Sequence, residues 1–209
     1  MKIGIVGLGR VFNHYLDNFI DEDFLNKHEL VICDNNLELT SSYQKKLKCK
    51  SCNLLNELIE HKPEFVIVAS PSGLHYEHTK SLLENNINVL SEKPVCMGIK
   101  EQYQLIDITK TNNLRCGVIF QNRFNPAIQT LKEIIKDNIL GKINICSMKL
   151  HWCRDQSYYS DQWHGKWNMD GGVINQQAIH HLDILQWVNG SIKQVFSMEG
   201  NLINNLEAE

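Results

Sequence analysis

The 209-residue chain has no apolar run near the 18 or so residues that a membrane-spanning helix requires. It has no excess of basic residues either. The net charge is −3, so charge does not point to nucleic acid as a partner. Nothing resembling a signal peptide precedes Lys2-Ile3-Gly4-Ile5-Val6, and a cytoplasmic location is the expectation. No internal repeat or low-complexity stretch is present. The seven cysteines are an odd number, scattered along the chain, and reduced, mostly buried thiols are expected.

Two cysteine and histidine patterns need weighing. Cys49-Lys50-Ser51-Cys52 spells C-x-x-C, but neither a helix start nor a second ligand pair accompanies it. It reads as a short strand after a helix. His75 and His78, and the pair His180-His181 with Asp183, could tempt a metal assignment. A tight zinc site needs three or four convergent ligands. The sequence shows no such convergence, so hydrogen-bonded or surface histidines are expected and no metal is assigned.

What the chain does have is ordinary soluble composition, 43% hydrophobic and 22% charged. A chain of this size buries about 70% of the surface its unfolded form exposes, enough for a core without staples. Residues 2–6, 30–33, 65–69, 87–90 and 116–120 are short apolar runs. Helical stretches separate them, at about 10–20, 36–48, 54–61, 75–86 and 98–112. Strands alternating with helices predict a parallel, doubly wound α/β sheet. Phe65-Val66-Ile67-Val68-Ala69 is apolar throughout, as expected of a strand covered on both faces.

The rhythm changes after Gln121. Residues 127–138 read as an amphipathic helix with Ile128, Leu131, Ile134 and Ile135 on its apolar face. Residues 143–152 and 192–203 read as strands, and 175–188 as a helix. The expected organisation is a Rossmann domain over 1–121, then an incomplete α+β domain over 122–209 with an open, mainly antiparallel sheet.

The first chemical feature is Gly7-Leu8-Gly9. Gly7 allows the tight turn out of the first strand, and Gly9 allows close backbone approach of a pyrophosphate. The helix that starts near Arg10 and Val11 aims free N–H groups and a positive dipole end at that phosphate. Phe12 stands where the third glycine of the usual fingerprint would be, which implies wider helix–strand packing. Asp34 ends the second strand, where a carboxylate accepts ribose hydroxyls and repels a 2′-phosphate. Asn35 and Asn36 follow it, with no arginine to hold a phosphate. NAD is therefore expected, with NADP disfavoured.

Two loops at carboxyl ends of strands would line the same crevice. One carries Ser70, Pro71 and His75, the other Glu92-Lys93-Pro94. A third feature is the stretch from Asp170-Gly171-Gly172 to His180-His181-Leu182-Asp183. On a regular helix Gln176, His180 and Asp183 share a face, with Gln177 and His181 beside them.

These three pieces, in this order, resemble the glucose–fructose oxidoreductase/inositol dehydrogenase (Gfo/Idh/MocA) family. Glu92-Lys93-Pro94, the Gly-Gly…His-x-x-Asp segment and Arg123-Phe124-Asn125-Pro126 carry the likeness. The resemblance implies an NAD(P)-binding Rossmann domain followed by a domain that carries substrate and oligomer contacts. It implies that Lys93 binds the reacting hydroxyl near the nicotinamide and that His180 is the acid/base partner. Gln176 stands where relatives usually have Asp or Asn. It further implies a homo-oligomer in the full-length form and a sheet that these residues only begin, so that the chain is C-terminally truncated relative to the family.

Histidine titrates near neutrality and can take a hydroxyl proton. A cationic lysine stabilises a developing alkoxide. The expected activity is hydride transfer between a sugar secondary alcohol and a nicotinamide. Between Trp152 and Trp167, Arg154, Tyr158, Tyr159, Trp163, His164 and Trp167 offer aromatic faces and a cation, suited to a sugar with an anionic group. An ordered loop packing its rings is the other reading. This stretch, with Gln176, Gln177 and His180, looks like the branch that oxidises nucleotide-linked N-acetylhexosamines or their uronates at C3. A non-catalytic dinucleotide-binding module remains the alternative function.

Overall fold

The structure, a computed structural model, describes residues 1–161, 163–200 and 203–208. The chain divides into two compact units, Met1–Ile119 and Phe120–Glu209.

The first unit runs β1 (Lys2–Val6), α1 (Arg10–Asn18), α2 (Glu22–Lys27), β2 (Glu29–Cys33), α3 (Leu37–Leu47), β3 (Lys50–Cys52) and α4 (Leu55–Glu60). It continues with β4 (Phe65–Val68), α5 (His75–Glu84), β5 (Asn88–Ser91), α6 (Ile99–Thr111) and β6 (Cys116–Val118). The six strands are parallel in the order β3-β2-β1-β4-β5-β6. The order reverses between β1 and β4, the switch point beyond which ligands of such sheets bind.

Strand alternation sorts the core onto two faces. Ile5, Leu30, Ile32 and Ile67 face one way, with Phe12 of α1 and the half-buried Leu39 and Tyr43 of α3. Val6, Val31, Cys33, Val66, Val68 and Val89 face the other, covered by Leu58 of α4, Leu82 and Leu83 of α5 and Leu105 of α6. Each face is thus closed by helices, which is why the strands read as continuous apolar runs. Phe12 is fully buried, and its ring meets Tyr43 edge-on at 4.9 Å. The residue that replaces the third glycine is therefore a core side chain, worth roughly 1.5–3 kcal/mol of burial. Helix starts are fixed by caps: Asp21 accepts from Phe24 N at α2, and Glu101 accepts from Met97 N and Gly98 N at α6. Lys50, Ser51 and Cys52 of the C-x-x-C segment form β3, the short strand after a helix that was expected there.

In the second unit α7 (Pro126–Lys136) begins at an Asn125 cap with Pro126 in the first helical position. Ile128, Leu131, Ile134 and Ile135 are half-buried on one face. A π-helical turn, Ile174–Ala178, leads into α8 (Ile179–Asn189). Near the end of the chain, Asn205 N donates to Gln156 Oε1 and Ala208 N to Gly165 O, laying that segment on residues 156–165.

The antiparallel sheet expected for 122–209 is absent among the described residues. Residues 143–152 and 192–200 carry no strand, and Asn201 and Leu202 lie outside the described residues. Ile145 is 84% exposed and Phe196 89%. Alternation alone does not make a strand. Its N–H and C=O groups need a ladder partner, and small sheets need further strands or cover.

Candidate active site

The glycine turn is locked from beneath. Gly7 has φ +95°, and a Cβ on it would lie 2.4 Å from the carbonyl carbon of Ala69 and from Ser70 N. Only glycine fits both the backbone conformation and that wall. Gly7 N donates to Cys33 O at 2.9 Å. A Cβ on Gly9, by contrast, would meet nothing within 4 Å. Gly9 is the N-cap of α1, makes no side-chain cap, and the first turn of α1 holds no acidic residue. The positive helix end thus has no acidic side chain in its first turn, and the backbone at Gly9 is open to close approach.

Asp34 sits beside this turn. Its Oδ2 accepts Leu8 N at 2.8 Å and its Oδ1 accepts Asn36 N at 2.9 Å. A carboxylate has about four acceptor positions, so two backbone bonds leave capacity for ribose hydroxyls. These features fit a dinucleotide. Of the other residues expected to touch it, Arg10 is exposed and Val11 half-buried.

The neighbouring loops form one hydrogen-bonded group. His75 is buried, with Nδ1 2.7 Å from Pro94 O and Nε2 2.6 Å from Ser70 O. It therefore sits behind the loops, while Ser70 is half-buried and Pro71 exposed. Ser70 Oγ meets His78 Nδ1 at 3.0 Å, and burial together with His75 pulls the His78 pKa down. Glu92 Oε1 accepts the Tyr15 hydroxyl at 2.8 Å. Burial, then the Glu92 carboxylate, push the phenol far up, so it stays a donor. Burial draws the Lys93 ammonium below the usual lysine range, opposed by Glu92. The Lys93–Pro94 peptide is cis.

In the second unit the residues expected to carry substrate fall into two groups. Arg123 donates from Nε to Asp183 Oδ2 at 2.7 Å and from Nη2 to Asp183 Oδ1 at 2.5 Å. Its guanidinium lies over the Phe120 and Trp187 rings. His180 is buried, edge-on to Phe120 at 6.2 Å. Gln176 and Gln177 lie half-buried in the π-helical turn. That turn bonds i to i+5 rather than i+4, so the row of Gln176, His180 and Asp183 is offset from the regular helix that the spacing predicts.

The second group surrounds His164. Its Nδ1 bonds Asp161 Oδ2, and Asp161 Oδ1 accepts Trp163 N and His164 N. The imidazole packs against Trp163, with 3.6 Å between centroids, and Tyr158, at 4.3 Å. Arg154 is exposed over Trp152 and Tyr158, and Tyr159 is half-buried against Tyr158. Neither Asp161 nor Asp170 has a role legible from the sequence alone. Asp170, buried, accepts Gly165 N and Gly172 N. The Asp-Gly-Gly string is a turn signal that could have marked it. No group of three or more His, Cys, Asp or Glu among the described residues could hold a metal ion. No helix among them is long and apolar enough to cross a membrane.

Residues 1–120 match the family described as "Oxidoreductase family, NAD-binding Rossmann fold", and residues 128–209 match the GFO/IDH/MocA C-terminal domain. The structure is similar to the WlbA dehydrogenase of Bordetella pertussis, solved in complex with NADH and UDP-GlcNAcA. The TM-score is 0.93 at 28% identity, over 100% of this chain and 65% of that one. For the WlbA dehydrogenase of Chromobacterium violaceum, with the same two ligands, the values are 0.94, 26%, 100% and 61%. The glucose-6-phosphate 3-dehydrogenase of Bacillus subtilis is 28% identical over 90% of this chain and 53% of its own length. The chain spans about half the length of the curated relatives that it matches along most of its own length.

Proposed function

Because the chain belongs to the GFO/IDH/MocA oxidoreductase family, we propose that it binds NAD and works on a sugar secondary alcohol, best a nucleotide-linked sugar. The observation that carries this is the pairing of an open Gly9 at the bare start of α1 with the Asp34 carboxylate beside it. Gly7, Gly9, Arg10 and Val11 would lie along the pyrophosphate, and Asp34 would take the ribose hydroxyls. With Asn35 and Asn36 after it, Asp34 favours NAD over NADP. Ser70, Pro71 and Glu92 would border the nicotinamide end.

A bound nicotinamide supplies the hydride acceptor or donor. The chain's residues handle the rest. Lys93 holds the substrate hydroxyl and stabilises the alkoxide that forms as its proton leaves. Burial, opposed by the Glu92 carboxylate, draws the Lys93 ammonium below the usual lysine range, and a cation at that place stabilises a developing alkoxide. His180 takes the proton in oxidation and returns it in reduction. Arg123, Arg154, Tyr159, Trp163, Gln176 and Gln177 are the proposed substrate contacts, Arg154 and Trp163 suiting an anionic sugar. The WlbA structures, whose ligands are NADH and UDP-GlcNAcA, support the nucleotide-sugar class. A homo-oligomer and a cytoplasmic location belong to the same reading.

The experiment is NADH formation by the purified chain over a panel of UDP-N-acetylhexosamines and uronates, with Lys93→Ala as control. Substrate-dependent NADH that disappears in Lys93→Ala supports the reading. NADH binding seen by fluorescence, with no turnover on any sugar, would instead make the chain a non-catalytic dinucleotide-binding module.

A further inference from the structure

A histidine was expected on the cofactor at position 75, yet the ring lies 2% exposed behind the loops. Both of its nitrogens face backbone carbonyls, Pro94 O at 2.7 Å and Ser70 O at 2.6 Å. A carbonyl oxygen only accepts. A neutral imidazole has one N–H, so it could satisfy one carbonyl and would press a lone pair against the other. Only the doubly protonated ring satisfies both contacts.

The two carbonyls belong to different loops. Ser70 follows β4, and its amide is part of the wall that forces glycine at position 7. Pro94 follows Lys93 directly. The ring is therefore a strut from the wall of the glycine turn to the turn that carries Lys93.

Resting on the reading of Lys93 given above, we propose that His75 is a positioning residue, which with a proton on each ring nitrogen ties Ser70 O to Pro94 O and so fixes Lys93 over the cofactor crevice. The forces on that second proton oppose one another. Burial disfavours it most strongly and holds the His75 pKa below the usual histidine value. The two carbonyls and the Glu92 carboxylate favour it, and the Lys93 charge disfavours it. His78, on the same helix as His75, is itself drawn down by burial and then by His75. With its folded pKa below the usual histidine value, the strut is complete only at acid pH and loses one carbonyl as pH rises through that value.

The test uses the whole chain, labelled with nitrogen-15 in histidine and carbon-13-methylated on lysine. In the wild type, both His75 ring nitrogens should read as protonated with slowly exchanging N–H signals at low pH. One proton should be lost as pH rises, and the Lys93 resonance should broaden in step. A ring with a single proton across the whole range in which the chain stays folded overturns the proposal, and this readout needs no variant. In His75→Gln the Lys93 resonance should move towards that of exposed lysines and lose its pH step. At acid pH, below the folded value of His75, turnover should fall at least tenfold in kcat, with NADH affinity within about threefold. Loss of NADH affinity with kcat retained would make His75 a cofactor contact and overturn the proposal. Normal turnover in Lys93→Ala, with the His75–Lys93 coupling still seen in the spectra, would sink the role of Lys93 and leave the strut standing.

Discussion

Asp34 and Leu8 are 26 positions apart, yet the carboxylate of one accepts the amide of the other at 2.8 Å. The acid at the end of β2 therefore does two things. It braces the glycine turn, and it keeps acceptor capacity for a ribose. Removing it should weaken both. Asp34→Ala is expected to raise the Kd for NADH roughly 10- to 100-fold, since a hydrogen bond to a charged group contributes about 1.5–3 kcal/mol. A small drop in melting temperature should accompany it. Fluorescence titration of NADH checks the first point; unchanged affinity would remove Asp34 from the site.

The two glycines of the turn separate folding from binding. Gly7→Ala places a Cβ 2.4 Å from backbone and at φ +95°. The left-handed conformation alone costs about 1–2 kcal/mol, and the clash adds to it. A melting temperature lower by several degrees is expected, with NADH binding lost. Gly9→Ala meets nothing within 4 Å. It should melt within a degree or two of wild type, yet bind NADH at least tenfold more weakly. Calorimetry and NADH titration on the same samples decide. Wild-type NADH affinity in Gly9→Ala would mean that no phosphate approaches that backbone.

Much of this turn was legible in the sequence because its signals are local: a strand, two glycines, a helix, and an acid ending the next strand. The long-range partners were not. His75 reads as a crevice residue until Pro94 O and Ser70 O are found on its two nitrogens. The 60-residue separation of Arg123 and Asp183 hides their pairing in the same way. α2 carries no apolar period long enough to announce it; its visible sign is the Asp21 cap. The π-helical turn at Ile174–Ala178 changes the register without any residue type that marks it. The alternation in 143–152 signals a strand's faces but says nothing about a partner for its backbone.

Arg123 tests a choice between two roles. Its fork grips Asp183 with two bonds, while the proposed function gives it contact with substrate. Lysine keeps the charge and loses the fork. The Arg123 side chain is 41% exposed, so screening limits the pair to about 1 kcal/mol. For a chain of this size that is about 2–4 °C in melting temperature. If Arg123 mainly holds α8, Arg123→Lys should lower the melting temperature by that amount with KM little changed. If it mainly holds substrate, KM should rise with stability unchanged. Steady-state kinetics beside a thermal melt separates the two.

Lys93 should cost stability for the sake of its chemistry. Burial lowers its folded pKa below the ordinary 10.5. Between those two values the unfolded chain binds the proton and the folded chain does not, so folding becomes more favourable as pH rises. Below the folded value the penalty for burying the ammonium is fully present. Lys93→Met keeps the length of the side chain and removes the charge. Its melting temperature should exceed that of the wild type at neutral pH, and the gap should close as pH climbs towards 10.5. Turnover should be abolished at every pH. Melts of both proteins across that range measure the gap directly. A variant less stable than wild type at all pH values would show that contacts of the ammonium outweigh its desolvation, and that the site is not built under strain at this residue.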